Sequence, residues 1–165
     1  MKKTLLFLLV ALFATMNCTT VAQKPFKMNI DGSSITLTLA DIKKFWEPEM
    51  AKNMTDLNRQ CPMSMADGVS MTYVGFKNNT VYVDLKINVS ASSLSASDKK
   101  EIKDATGPAL MEGLKEGLLQ VDTNVMPRSE WLRLFRELNI KFHIRMLDRS
   151  GAIICTLDAD TSSLR

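Results

Sequence analysis

Residues 69–89 read VSMTYVGFKNNTVYVDLKINV, and their alternation decides the fold class. Val81, Val83, Leu85, Ile87 and Val89 alternate with Tyr82, Asp84, Lys86 and Asn88. That is the period of a strand with one buried face. Upstream, Val69, Met71 and Tyr73 alternate with Ser70 and Thr72. Lys77-Asn78-Asn79 supplies a short Asn-rich turn, so the stretch reads as a β-hairpin. This parity groups Tyr73 with the apolar side and leaves Tyr82 as the one aromatic on the outward face.

A second hairpin follows the same logic. Ile140, Phe142, Ile144 and Met146 alternate with Lys141, His143 and Arg145. Asp148-Arg149-Ser150-Gly151 turns the chain, and Ile153, Cys155 and Leu157 complete the pair. Residues 158–165 read as a polar, frayed tail.

Helical spacing appears before each hairpin. Ile42, Phe45, Trp46, Met50, Met54, Leu57 and Cys61 recur at three and four, which draws one apolar stripe. Thr38 and Asp41 have capping-box spacing at its start. Pro48 predicts a kink or restart, and Pro62 an end. Ahead of this helix, residues 23–34 read as an irregular lead-in with an Asp31-Gly32 turn signal. Ile35, Leu37 and Leu39 read as a short strand or an extended entry into the helix. Residues 90–97 form a Ser-rich connector, with Ser97 placed to cap a helix over Asp98–Gln120. Gly107-Pro108 is expected to split that helix, and Met111, Leu114 and Leu118 share a face of its second piece. A further helix starts near Ser129, with Trp131, Leu132, Phe135 and Leu138 on its packing side.

Two hairpins, each apolar on one face, join into an antiparallel sheet of about four strands. Helices cover that face, which predicts a two-layer α+β domain over residues 23–165. The two helix-then-hairpin units share little beyond Leu57-Asn58 and Leu138-Asn139, an architectural repeat at most.

The first residues set the compartment. Lys2 and Lys3 precede an eleven-residue apolar run, Thr4 to Ala14, and Thr20-Val21-Ala22 ends in a small residue. This is the pattern of a cleavable secretory signal peptide over residues 1–22, cut after Ala22. The run is shorter than the ~20 residues a membrane span needs, so the mature chain is expected to keep no transmembrane segment. Thr15-Met16-Asn17 before Cys18 argue against a lipoprotein signal. Removing Lys2 and Lys3 takes the 21 basic residues to 19 against 18 acidic, and 143 of the 165 residues remain. With no basic run longer than two, neither nucleic acid nor an anionic membrane is an expected partner. The expected location is the periplasm or the exterior. There the remaining cysteines, Cys61 and Cys155, either pair as a disulfide or stay as two packed free thiols.

Catalytic groups are sparse. His143 is the single histidine and shares a strand face with Lys141 and Arg145, so it reads as a solvated strand residue. There is no Gly-rich phosphate loop and no glycine-flanked nucleophilic serine. Glu47 and Glu49 suit a helix N-terminus, and Asp158 and Asp160 read as solubilising. Gly113 and Gly117 have small-residue spacing, read as close packing against the sheet or as plain tolerance. Sulfur is the unusual feature: Cys61, Met63 and Met65 lie within five residues, just past Met50 and Met54. Thiolate and thioether donors favour Cu(I), whereas the bland reading is ordinary Met-rich packing.

The segment Leu57-Asn58-Arg59-Gln60-Cys61-Pro62-Met63, followed by a small polar turn and an alternating hairpin, resembles a group of short secreted Bacteroidetes proteins. In these a helix ends at an Asn-x-x-Cys/Leu-Pro junction before a hairpin, and a second helix and hairpin follow, as in Trp131 to Leu157 here. The group has no assigned activity, so the resemblance implies a fold and an exported location and transfers no functional residues. Three functional classes stand at this point. The leading one is an exported, non-enzymatic module without a cofactor that binds a protein or an envelope component. The alternatives are Cu(I) binding through Cys61, Met63 and Met65, and an enzyme whose carboxylates meet only on folding.

Overall fold

The structure, a computed structural model, describes residues 24–118 and 123–164. The expected leader with Cys18, and the side chains of Met111, Leu114 and Leu118, lie outside the described residues. In chain order the elements are β1 (Phe26–Ile30), β2 (Ser33–Leu37), α1 (Leu39–Asn58), β3 (Met63–Ala66), β4 (Val69–Lys77) and β5 (Thr80–Ile87). After a single 3-10 turn (Ala91–Ser93) come α2 (Ala96–Leu118), α3 (Arg128–Leu138), β6 (Lys141–Leu147), β7 (Ile153–Asp160) and a closing 3-10 turn (Thr161–Ser163).

The fold is α+β, with a two-stranded antiparallel sheet, β1-β2, and a five-stranded sheet ordered β3-β4-β5-β6-β7. Both expected hairpins are present and do share a sheet. The expectation of about four antiparallel strands needs two corrections. Met63–Ala66, read as a junction, is a fifth strand on β4, and the hairpins meet through a parallel β5–β6 contact. The parallel contact follows from where the helices return the chain. Asn79 Nδ2 donates to the carbonyls of Leu138 (2.7 Å) and Asn139 (2.8 Å), and Lys141 N donates to Asn79 O (3.0 Å). These bonds tie the start of β6 to the start of β5, so the two strands leave side by side. Asn139 ends α3 with a left-handed backbone (φ 49°), a conformation Asn tolerates well.

The lead-in is also a strand. Phe26, Met28 and Ile30 are buried and alternate with exposed Lys27 and Asn29. Asp31 (φ 48°) and Gly32 (φ 79°) both take left-handed backbone, the requirement of a tight hairpin turn. Asn29 N donates to Val125 O, 2.7 Å, anchoring the other edge of β1 to the segment before α3.

Helix starts obey local chemistry. The Thr38/Asp41 capping box forms with both reciprocal bonds, and the Thr38 hydroxyl and backbone N–H hold the Asp41 carboxyl below its usual pKa range. At α2 the capping residue is Ser95, two residues before the expected Ser97: Asp98 N donates to Ser95 Oγ (3.1 Å) and Ser95 N to Asp98 Oδ2 (2.8 Å). Neither Pro48 nor Pro108 divides its helix. Pro48 and Lys44, whose carbonyl loses its helical partner, are both exposed, so water can take the freed acceptor.

α1 packs on β4 and α2 on β7. The larger core cluster joins the β1-β2 hairpin, α1, α3 and the core side of β4 and β5. The smaller cluster gathers Ile144, Met146 and Leu157, with Ile102 of α2 and Cys155 against it. Arg133 fastens the hairpin to α3. Its guanidinium lies 3.7 Å from the Phe26 ring centroid and donates to the carbonyls of Lys24 and Pro25, and to Glu130 and Glu137.

The chain end corrects another expectation. Residues 158–164 do not fray as a solvated tail, because Thr161 and Leu164 are buried at 2% and 4% exposure.

Asp148 secures the β6–β7 turn. Its carboxylate accepts from Ser150 N, Ser150 Oγ and Ala152 N, and from Ala91 N of the first 3-10 turn. The Ser150 hydroxyl first, then these backbone N–H groups, pull its pKa far below the ordinary 3.8. A depressed folded pKa stabilises the fold above the unfolded value, and that contribution is lost as pH falls through the folded one. Asp148→Ala is therefore expected to lower the Tm at pH 7 by roughly 5 °C or more. The gap to wild type should narrow in acid scans below about pH 4. A gap independent of pH would show that charge on Asp148 is not the cause.

Candidate functional site: the open face of the sheet

Because α1 and α2 pack on one side of the five-stranded sheet, its other side is left for solvent. Outward residues follow from register. Cross-strand partners Tyr82–His143–Asp158 form one row and Asp84–Arg145–Thr156 the next. Sequence alternation assigned Tyr82, Asp84, His143 and Arg145 to this face, and the structure places them there.

Tyr73 is the exception, and a bulge explains it. Met71 pairs with Leu85, but Tyr73 pairs with Asp84, so Thr72 is an extra residue in β4. One added residue flips the parity: Val74 turns inward and is 3% exposed, while Tyr73 turns out and is 43% exposed. Thr72 Oγ1 bonds Asp84 O at 3.3 Å. Beyond the reach of β3, Val74 N donates to the side-chain oxygen of Asn58 at the end of α1 (3.0 Å), which satisfies the edge of β4. A second bulge at Ile154 does the same to β7. Ile154 is buried and Ile153, expected in the core, is 53% exposed.

The outward Tyr73 lies over Gly75. A Cβ at Gly75 would collide with the Tyr73 hydroxyl and sit 3.0 Å from Cζ, so the missing side chain is the seat of the ring. Gly75 pairs with Tyr82. Tyr73, Phe76, Lys77, Tyr82, Asp84, His143 and Arg145 together line a concavity of about 520 Å³.

Three of its charged or titratable side chains, Asp84, Arg145 and His143, are held in pairs. Arg145 Nε donates to Asp84 Oδ1 (2.7 Å) and Nη2 to Asp84 Oδ2 (2.6 Å), a planar bidentate bridge. Asp84 is 9% exposed although it faces away from the core. The bonds to Asp84 raise the Arg145 pKa further. His143 Nδ1 meets Asp158 Oδ1 at 2.8 Å, and the imidazole tilts against the Tyr82 ring with centroids 5.6 Å apart. Asp158, read as solubilising, thus orients the single histidine, while Asp160 caps the closing turn through Ser162 N. Sequence reasoning missed both pairs because they depend on β6 lying beside β5 and on the exact β6–β7 register. Among the residues that line the groove there is no serine, threonine or cysteine.

The sulfur residues lie elsewhere. Cys61 and Met63 pack against the larger cluster, whereas Met65, in a β3 bulge, is 57% exposed. Cys61 and Cys155 are both free thiols. Cys61 belongs to the larger cluster and Cys155 to the smaller, where burial raises the Cys155 pKa against a small opposing effect of Lys103. Among the described residues, no three His, Cys, Asp or Glu side chains group to hold a metal, and no helix is long and apolar enough to cross a membrane.

Fold and site together define an α+β protein that presents one face of a mixed sheet as an aromatic and charged groove. No protein-family model and no curated protein matches the chain. Three solved structures are similar in fold. The pilotin of the Vibrio vulnificus type 2 secretion system is 10% identical, with 76% of this chain and 97% of that one covered at a TM-score of 0.47. The type II secretion system pilotin of Vibrio cholerae is 12% identical, with 76% and 97% covered, at 0.44. A candidate secreted protein of Pseudomonas aeruginosa is 10% identical, with 72% and 96% covered, at 0.42. Likeness of this degree assigns no function.

Proposed function

We propose that this protein is an exported, non-enzymatic binding module that holds a protein or cell-envelope component against the open face of its sheet. The observation that carries the reading is the groove between Tyr73 and Tyr82. Two aromatic rings, one seated on Gly75 and one braced by His143, flank charged groups already fixed by their partners. Such a surface binds without first ordering its own side chains, which lowers the entropic cost of association. Export rests on the leader-like residues 1–22.

The test is site-specific photo-crosslinking in cells, with a benzophenone amino acid at position 82 or at exposed Glu101 on α2. The expected result is a discrete adduct from position 82 only, reduced about tenfold or more by Arg145→Ala. Equal labelling from both positions, or none from position 82, would overturn the reading.

A further inference from the structure

A second concavity lies further along the same face, and its chemistry differs from that of the groove. It measures about 290 Å³ and is lined by Ser64, Ser70, Lys86, Asn88 and Arg149, with the backbone of Gly68 at its rim. None of the residues lining it is acidic.

Register builds it. Ser64 pairs with Ser70 across β3–β4, and Ser70 pairs with Lys86 across β4–β5. Two hydroxyls and an ammonium therefore stand in one row over three strands. Asn88 N donates to Gly68 O (2.9 Å), which closes one end with the β3–β4 turn. Arg149 is delivered from the opposite end of the chain: its backbone N–H donates to Val89 O at 3.0 Å, next to the Asp148 cage.

Two of the nearby carboxylates are committed elsewhere. Asp148 is filled by Ser150, Ala152 and Ala91, and Asp84 by Arg145. Asp67 stands in the β3–β4 turn and is not among the lining residues. Among the described residues, neither Lys86 nor Arg149 is paired with an acid. Two cations, two hydroxyls and an amide line one space, and a guanidinium with an ammonium around one space suits a tetrahedral oxyanion.

We propose that this concavity is an oxyanion site that takes a phosphoryl group. Its ligand is a free phosphate or the phosphate of a lipid headgroup, the shared chemistry being a compact anion with several acceptor oxygens.

The experiment titrates the folded protein with inorganic phosphate and follows backbone amide NMR shifts. Saturable shifts are expected at Ser64, Gly68, Ser70, Asn88 and Arg149. Lys86→Gln/Arg149→Gln should weaken the apparent affinity about tenfold or more. Lys27→Gln/Lys52→Gln, the same charge change at exposed positions elsewhere, should leave it within about twofold. Absence of saturable shifts at those amides, or an equal loss in the two double variants, would overturn the site. A second arm uses vesicles of phosphatidylglycerol in phosphatidylcholine. Vesicle binding lost only in Lys86→Gln/Arg149→Gln assigns the phosphoryl group to a headgroup, and saturable phosphate binding without vesicle binding assigns it to a free phosphate.

Discussion

Phe26→Ala is expected to lower stability by about 3–5 kcal/mol, read as a fall in the urea midpoint with little change in slope. Phe26 is fully buried at the first residue of β1 and packs with Met28, Ile30, Leu37 and residues of α3 in the larger cluster. Removing the ring leaves a cavity inside that cluster. It also strips the Arg133 guanidinium of the aromatic face beneath it. The neighbouring Lys27 is exposed, so Lys27→Ala should stay within about 0.5 kcal/mol. If Phe26→Ala were as mild as Lys27→Ala, the β1-β2 hairpin would not belong to the cooperative core.

This contrast also marks what was legible in the sequence. Long alternation over Val81–Val89 and Ile140–Met146 placed β5 and β6 and their faces correctly, because the apolar side chains of each strand lie on one side. Phe26, Met28 and Ile30 carry the same alternation, and Asp31-Gly32 the same kind of turn signal, but over five residues beside Pro25 they read as a lead-in. Tyr73 and Ile153 were misplaced for a different reason. A bulge adds one residue without changing composition, so parity beyond it cannot be read from alternation. The groove was half legible: Tyr82, Asp84, His143 and Arg145 fell on the outward face. Their pairing needed the parallel β5–β6 register, which Asn79 fixes through the carbonyls of Leu138 and Asn139, sixty residues away in the chain. Pro48 and Pro108 interrupt neither helix, since an exposed helical carbonyl can turn to water, while α1 ends before Pro62 as expected.

Thr161→Val provides the second large effect, and its geometry separates hydrogen bonding from packing. The hydroxyl donates to Phe135 O (2.6 Å) near the end of α3 and accepts from Ile140 N (2.9 Å) just before β6. The Thr161 backbone N–H in turn donates to Ile140 O at 3.0 Å. Thr161 thus ties the end of the chain to the joint between α3 and β6, the same joint that Asn79 holds from the other side. Valine keeps the volume but leaves a buried N–H without its acceptor, at an expected cost of about 2–3 kcal/mol. Thr161→Ser keeps the hydroxyl and gives up one methyl, for about 1 kcal/mol. A frayed tail would make both substitutions neutral, and a site held by packing alone would make serine the worse of the two. Valine worse than serine by about 1 kcal/mol or more is the order that a hydrogen-bonded closure requires.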